Sequence, residues 1–216
     1  ENKLDSISCN ETISPVHISS VEKKFMVSRN EFFIAVALLA IAINTKKNDV
    51  HVSWVYNGRD DLASTSSVGL LCRELSVALR LNNKSNLHDI FTEIHEQVRN
   101  GIKYSCYPYM ANVPQGEEGE IACVIYQRDI READDFDGMN VNKLEIAHNN
   151  AAAQSVLDIQ ILDNEDGLQY VFDYAVGRYK QETMSEFQNL FKRVVAAIVN
   201  NINTEEYNFE QLKKDM

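Results

Sequence analysis

Leu157-Asp158-Ile159-Gln160-Ile161 and Leu168-Gln169-Tyr170-Val171-Phe172-Asp173-Tyr174 each place an apolar residue at every second position, and Asp166-Gly167 stands between them. A period of two puts one set of side chains on one face of a pleated strand, and an Asp-Gly pair supplies the backbone freedom that a tight reversal needs. The stretch reads as an antiparallel hairpin with one buried face. This is the strongest local signal in the chain, and it makes a sheet the frame into which the other segments must fit.

After the hairpin, Met184, Phe187, Leu190, Phe191, Val194, Val195 and Ile198 recur at helical spacing, with Thr183 and Glu186 placed as a capping box. That stripe reads as core packing against the sheet, not as a cofactor box. Residues 204–216 are polar and read as a short helix or the start of a linker. Before the hairpin, Ile121 to Tyr126 is an apolar strand. Arg128 to Asn140 is a charged excursion, and Val141 to Ala147 is a further strand. Val50, Val52, Trp54 and Tyr56 share one face of another strand, which Asn57-Gly58 ends. Leu70 to Leu81 reads as the next strand.

Asn86 can cap a helix that buries Leu87, Ile90, Phe91, Ile94 and Val98. Ser28 and Glu31 form a capping box that opens a helix running to about Thr45. Its run from Phe32 to Ile43 is apolar all round, so it reads as a helix buried on all sides; a bilayer span needs about 20 such residues. Residues 1–24 read as an irregular lead-in. The expected fold is α/β (α+β): a mixed, largely antiparallel sheet with helices mainly on one face.

Composition narrows the function. The chain carries 32 acidic against 21 basic residues, a net charge of -11. That argues against nonspecific nucleic-acid binding and a polybasic membrane-surface role, since both need concentrated positive charge. Cys9, Cys72, Cys106 and Cys123 show no Cys-x-x-Cys spacing. They read as reduced thiols in a cytoplasmic protein. The chain opens on Glu1, with no secretory signal, and reads as a fragment of a longer protein.

No phosphate-binding glycine loop or nucleophile elbow is present. His88 and His95, seven apart on one helix, read as surface or boundary residues. Asp134, Asp135 and Asp137 precede Gly138 too closely for a calcium loop. No catalytic residue and no metal ligand set emerges.

Three segments carry a family resemblance. Val50-His51-Val52-Ser53-Trp54-Val55-Tyr56-Asn57-Gly58-Arg59 resembles the strand ending in Gly-Arg of nonribosomal peptide synthetase condensation domains. Val68-Gly69-Leu70-Leu71-Cys72-Arg73-Glu74-Leu75, followed by Leu79-Arg80-Leu81, is similar to that family's Val-Gly-x-Phe-Val-Asn-Thr-Leu…Arg-Leu motif. Ser105-Cys106-Tyr107-Pro108-Tyr109 sits where the family has Gln-Asp-Tyr-Pro-Phe. The match covers residues 25–205, with 206–216 as tail, and corresponds to the C-terminal half of a condensation domain in the chloramphenicol-acetyltransferase-like superfamily.

The resemblance implies amide-bond formation between a carrier-bound acyl or peptidyl thioester and a carrier-bound aminoacyl amine. Both would be delivered on phosphopantetheine arms. It implies as partners the N-terminal half of the same domain, peptidyl or acyl carrier proteins and a neighbouring adenylation domain. This half would supply a tunnel wall, a floor loop within Asn57 to Leu81, and a latch within Gly116 to Ile146. Trp54, Tyr56, Asn57, Gly58, Arg59, Val68, Gly69, Arg73 and Arg80 are its tunnel and floor-loop candidates, and Tyr107, Pro108 and Tyr109 a motif near the latch.

The chain departs from the family in several places. The His-His-x-x-x-Asp-Gly motif, which belongs to the other half, does not occur, so the isolated chain is expected to be inactive. Ser53-Trp54 replaces a small Gly-Thr pair, Cys72-Arg73-Glu74 stands at the Asn-Thr position, and Ser105-Cys106 replaces Gln-Asp. These changes leave open condensation, epimerisation or a noncatalytic carrier-docking module.

Overall fold

The computed structural model describes residues 4–59, 66–107, 122–128, 157–164, 167–204 and 206–216. Among them are six strands: β1 (Leu4–Asn10), β2 (Asp49–Tyr56), β3 (Arg73–Arg80), β4 (Ala122–Arg128), β5 (Leu157–Asn164) and β6 (Gly167–Ala175). Five helices accompany them: α1 (Pro15–Phe25), α2 (Arg29–Thr45), α3 (Leu87–Lys103), α4 (Gln181–Asn200) and α5 (Phe209–Asp215). The strands form one sheet in the order β1-β6-β5-β4-β2-β3. Only the β5–β4 and β4–β2 pairings are parallel. The mixed, largely antiparallel sheet is therefore as expected.

Register fixes the inward face. Val77, Val52 and Leu75, Trp54, Val124, Ile159, Phe172 and Ile7 lie in neighbouring cross-strand positions. The helices cover this side. At its centre α2 buries Phe32, Phe33, Ile34, Val36, Leu38 and Leu39 completely. Residues buried around the whole circumference make α2 the interior rod that the apolar run implied. Phe33 stacks on Phe191 of α4 and meets Tyr170 of β6 edge to face, so hairpin and helices share one aromatic cluster.

Polar contacts fix the entry of α2. Ser28 and Glu31 form the expected capping box. The second Glu31 oxygen lies 2.8 Å from His95 Nδ1, which ties α2 to α3. Arg29 donates to Glu22 at 2.5 Å and to Asp163 at 2.8 Å. Tyr126 donates to the same Asp163 at 2.6 Å, so one guanidinium links α1, α2, β4 and β5. The edge strand β3 is blunted by Gln97, whose amide donates to the Ala78 carbonyl and accepts from the Ala78 N–H. Covered edge groups are not available to a foreign strand.

Two expectations are corrected. The described part of 1–24, from Leu4, is not an irregular lead-in: β1 pairs with β6 along its whole length, and Ser14 with Pro15 starts α1. The strand is polar because it lies at the sheet edge, where only Ile7 and Cys9 pack inward. Nor do Thr183 and Glu186 cap α4. The turn after β6 brings the chain into the helix earlier, so Lys180 is the N-cap, without a side-chain cap bond, and Thr183 is exposed. The tail is helical. Tyr207, Phe209 and Leu212 are buried, and Phe209 N–H donates to the Ser85 carbonyl. The expected strand over 141–147 lies outside the described residues.

Candidate substrate-facing end of the sheet

Strand β2 ends in Asn57-Gly58-Arg59, and the turn is built around a missing side chain. Gly58 has φ +69°, and a Cβ there would lie 2.3 Å from the Leu71 carbonyl oxygen. Only glycine satisfies both the left-handed backbone and that close approach. The Asn57 side chain accepts the Arg59 N–H at 2.9 Å. The Arg59 guanidinium then reaches across and donates to the Ser67 carbonyl at 2.9 Å and the Gly69 carbonyl at 3.0 Å. Gly69 itself has φ +153°. Arg59 thus closes a polar clasp over the returning segment 66–71.

The clasp leaves apolar groups outside. Val68 and Leu70 are fully exposed, at 105% and 90% of their reference areas. Tyr104 and Tyr107 are also exposed, beyond the end of α3. Arg73, at the start of β3, donates to Ser105 Oγ at 2.9 Å. That bond ties the start of β3 to the Ser105-Cys106-Tyr107 segment. Three stretches, two of them neighbours in sequence and the third about 30 residues on, therefore meet at one end of the sheet and present aliphatic, aromatic and cationic groups.

Other site expectations fall elsewhere. Trp54 and Tyr56 are core residues, 3% and 9% exposed, with rings packed edge to face. They belong to the helix-covered face. Arg80 lies at the far end of β3, roughly 23 Å from Arg73 at about 3.3 Å per residue. It is exposed and pairs across the sheet with Asp49 at 2.7 Å. Pro108, Tyr109, residues 60–65 and, apart from β4, the range 116–146 in which a latch was expected lie outside the described residues.

The opposite sheet face carries a polar row: Ser76, Ser53, Cys123, Asp158, Asp173 and Ser6 in register. Ser53 and Cys123 are buried there. Burial pushes the Cys123 thiol up to about 12, the neighbouring Ser53 hydroxyl acting in the opposite direction. This thiol is a structural group, not a nucleophile.

Among the described residues, no cluster of His, Cys, Asp or Glu could hold a metal. The arrangement can position and shield a ligand. Ser67 was not singled out from sequence, and Leu71 and Ser105 only as members of motifs. Their roles depend on which backbone atoms come together, and no local pattern encodes that.

The family model described as condensation domain matches residues 3–215. Among solved structures, the first condensation domain of the calcium-dependent antibiotic synthetase, in complex with a substrate analogue, aligns with a TM-score of 0.77 at 16% identity. That alignment covers 97% of this chain and 48% of that one. The epimerization domain from the third module of tyrocidine synthetase B gives 0.70 at 16% identity, covering 93% and 49%. The X-domain in its complex with OxyB from teicoplanin biosynthesis gives 0.72 at 12%, covering 98% and 48%. At such identities the likeness is one of fold, and this chain spans about half the length of each. No curated protein matches the sequence.

Proposed function

The chain belongs to the condensation-domain family, and from that premise we propose that it is the C-terminal half of an amide-forming unit in a nonribosomal peptide synthetase. The substrates are two carrier proteins with loaded phosphopantetheine arms. The acceptor amine attacks the donor thioester carbonyl, the C–N bond forms, the C–S bond breaks, and the donor arm leaves as a thiol. A proton passes from the amine to the thiolate. The histidine motif that the family brings to this step is not in these residues, so this half contributes wall and floor, and the reacting centre needs the other half. The work belongs in the cytoplasm, beside an adenylation domain that loads the acceptor carrier.

The observation that carries the reading is the braced loop. Arg59 and Gly58 hold segment 66–71 so that Val68 and Leu70 face outward. Exposed aliphatic side chains on a pinned backbone suit an apolar wall that a partner half and an acyl chain would cover. The test is reconstitution with an N-terminal half carrying His-His-x-x-x-Asp-Gly and two loaded carriers, read by mass spectrometry. Amide product from the pair, and none from this chain alone, is expected. No product from a pair that associates and stays folded contradicts the proposal.

A noncatalytic docking module is the second reading. It is favoured by Arg73, which stands at the family's Asn-Thr position and spends its guanidinium on Ser105. An X-domain of similar fold forms a complex with OxyB. Reconstitution that yields binding but neither amide nor epimerised product would select it.

A further inference from the structure

At the end of the sheet opposite the clasp, a notch opens between the starts of β2, β4 and β5. Strand β2 pairs with β4 at Ser53–Cys123 and Trp54–Val124, and the β2 residues before Ser53 have no partner on that side among the described residues. The strands part there, and a cavity of about 330 Å3 lies between them, the last turn of α2 and the first turn of α4. Val50, Leu157, Met184 and Phe187 line it, and all four are buried. Its rim is polar: Lys47, Asp49 and His51 meet there with Tyr179 and Thr183. The Asp49 carboxylate accepts from Arg80 at 2.7 Å. Lys47 and His51 have neither a hydrogen bond nor an ion pair among the described residues. Val50 and Tyr56, which precedes the clasp, are roughly 20 Å apart at about 3.3 Å per residue, so the two sites are separate.

Size and charge select the occupant. At about 30 Å3 per water-sized group, the cavity holds about eleven such groups. That admits one aliphatic chain with its head group and is too small for a nucleotide or a docked helix. An apolar base with a few converging polar groups is the usual form of a small-molecule pocket. The two helix ends at its mouth oppose each other, since the last turn of α2 brings partial negative charge and the first turn of α4 partial positive charge. The side chains therefore decide the sign. With Asp49 held by Arg80, Lys47 offers an open ammonium and His51 an open ring donor. We infer that the notch binds a medium-chain aliphatic carboxylate, its chain against Val50, Leu157, Met184 and Phe187 and its carboxylate at Lys47 and His51. The site goes beyond the amide-forming reading and stands independently of it.

The test titrates sodium octanoate, about ten non-hydrogen atoms, into the full chain labelled with carbon-13 at its methionine methyls. The Met184 signal, assigned through Met184→Leu, reports the floor of the notch. A saturating shift with a dissociation constant on the order of 1 mM or below is expected. Octylammonium, with the same chain and the opposite charge, should bind about tenfold more weakly or worse. Lys47→Glu should weaken octanoate binding by about fivefold or more. Arg99→Glu, an equal charge change on α3, should stay within about twofold of wild type. Lys47 and Arg99 are both exposed, so each variant should keep the wild-type unfolding midpoint. The absence of a saturating Met184 shift with octanoate overturns the site. Octylammonium binding as tightly as octanoate, unchanged octanoate affinity in folded Lys47→Glu, or an equal loss in Arg99→Glu overturns the carboxylate as its ligand.

Discussion

Helix α2 and the clasp after β2 are held by opposite means. Around α2, aliphatic and aromatic side chains close on every side, and its polar bonds sit at the entry turn. At the clasp, a guanidinium, an amide side chain and a glycine backbone hold the chain while Val68 and Leu70 stay in water. Apolar burial gives stability in proportion to area and tolerates small shifts. A clasp of directed hydrogen bonds adds little stability but specifies one loop conformation. Damage to the first should unfold the molecule, and damage to the second should leave a folded molecule with a misplaced loop.

The largest effect should come from Phe33→Ala. Its ring is fully buried and meets Tyr126, Tyr170 and Phe191. A loss of about 3–5 kcal/mol in chemical denaturation is expected. A loss below about 1 kcal/mol would mean that α2 is not the central rod.

Gly58→Ala should come next, at about 1–3 kcal/mol, from a strained positive φ and a Cβ driven against the Leu71 carbonyl. Faster proteolytic cutting within segment 66–71 should accompany it, with the α2 core still protected in hydrogen exchange. Unchanged cutting would show that the loop is fixed by something other than the clasp.

The smallest effect concerns Cys123. Burial raises its thiol from an ordinary value of 9.0 to about 12, so the folded state favours the neutral form. That contribution is complete below about pH 9 and declines as the pH rises toward about 12. At neutral pH, iodoacetamide should modify the exposed Cys72 and Cys106 and spare Cys123 in the native protein. Rapid Cys123 labelling would mean that this face of the sheet opens to solvent.

The same contrast governs what sequence reading reaches. Alternation in β2, β5 and β6 and the all-round apolar run of α2 are patterns of burial, and burial follows period, so these elements were legible. The Ser28–Glu31 box was legible because both partners lie within one turn. Residues 4–10 were missed because an edge strand has little apolar alternation and its partner, β6, is some 160 residues away. Helix α1 carried a readable sign in Ser14-Pro15, with Ile18, Val21 and Phe25 at helical spacing. The alternation that made β2 legible also turns Trp54 and Tyr56 inward, which the motif match alone could not reveal. Segments 57–59, 66–73 and 105–107 were legible as motifs, but the clasp was not. It depends on the Ser67, Gly69 and Leu71 carbonyls, and backbone carbonyls carry no residue signature.

The most direct measurement is the single-turnover rate of amide formation by the reconstituted pair of halves, comparing wild type with Val68→Asp/Leu70→Asp. Both side chains are fully exposed, so the variant should keep the wild-type unfolding midpoint. Product from the wild-type pair, with a rate about tenfold or more lower in the variant, is the result this account requires. Equal rates in two equally folded proteins would contradict the claim that the braced loop is a substrate-facing wall.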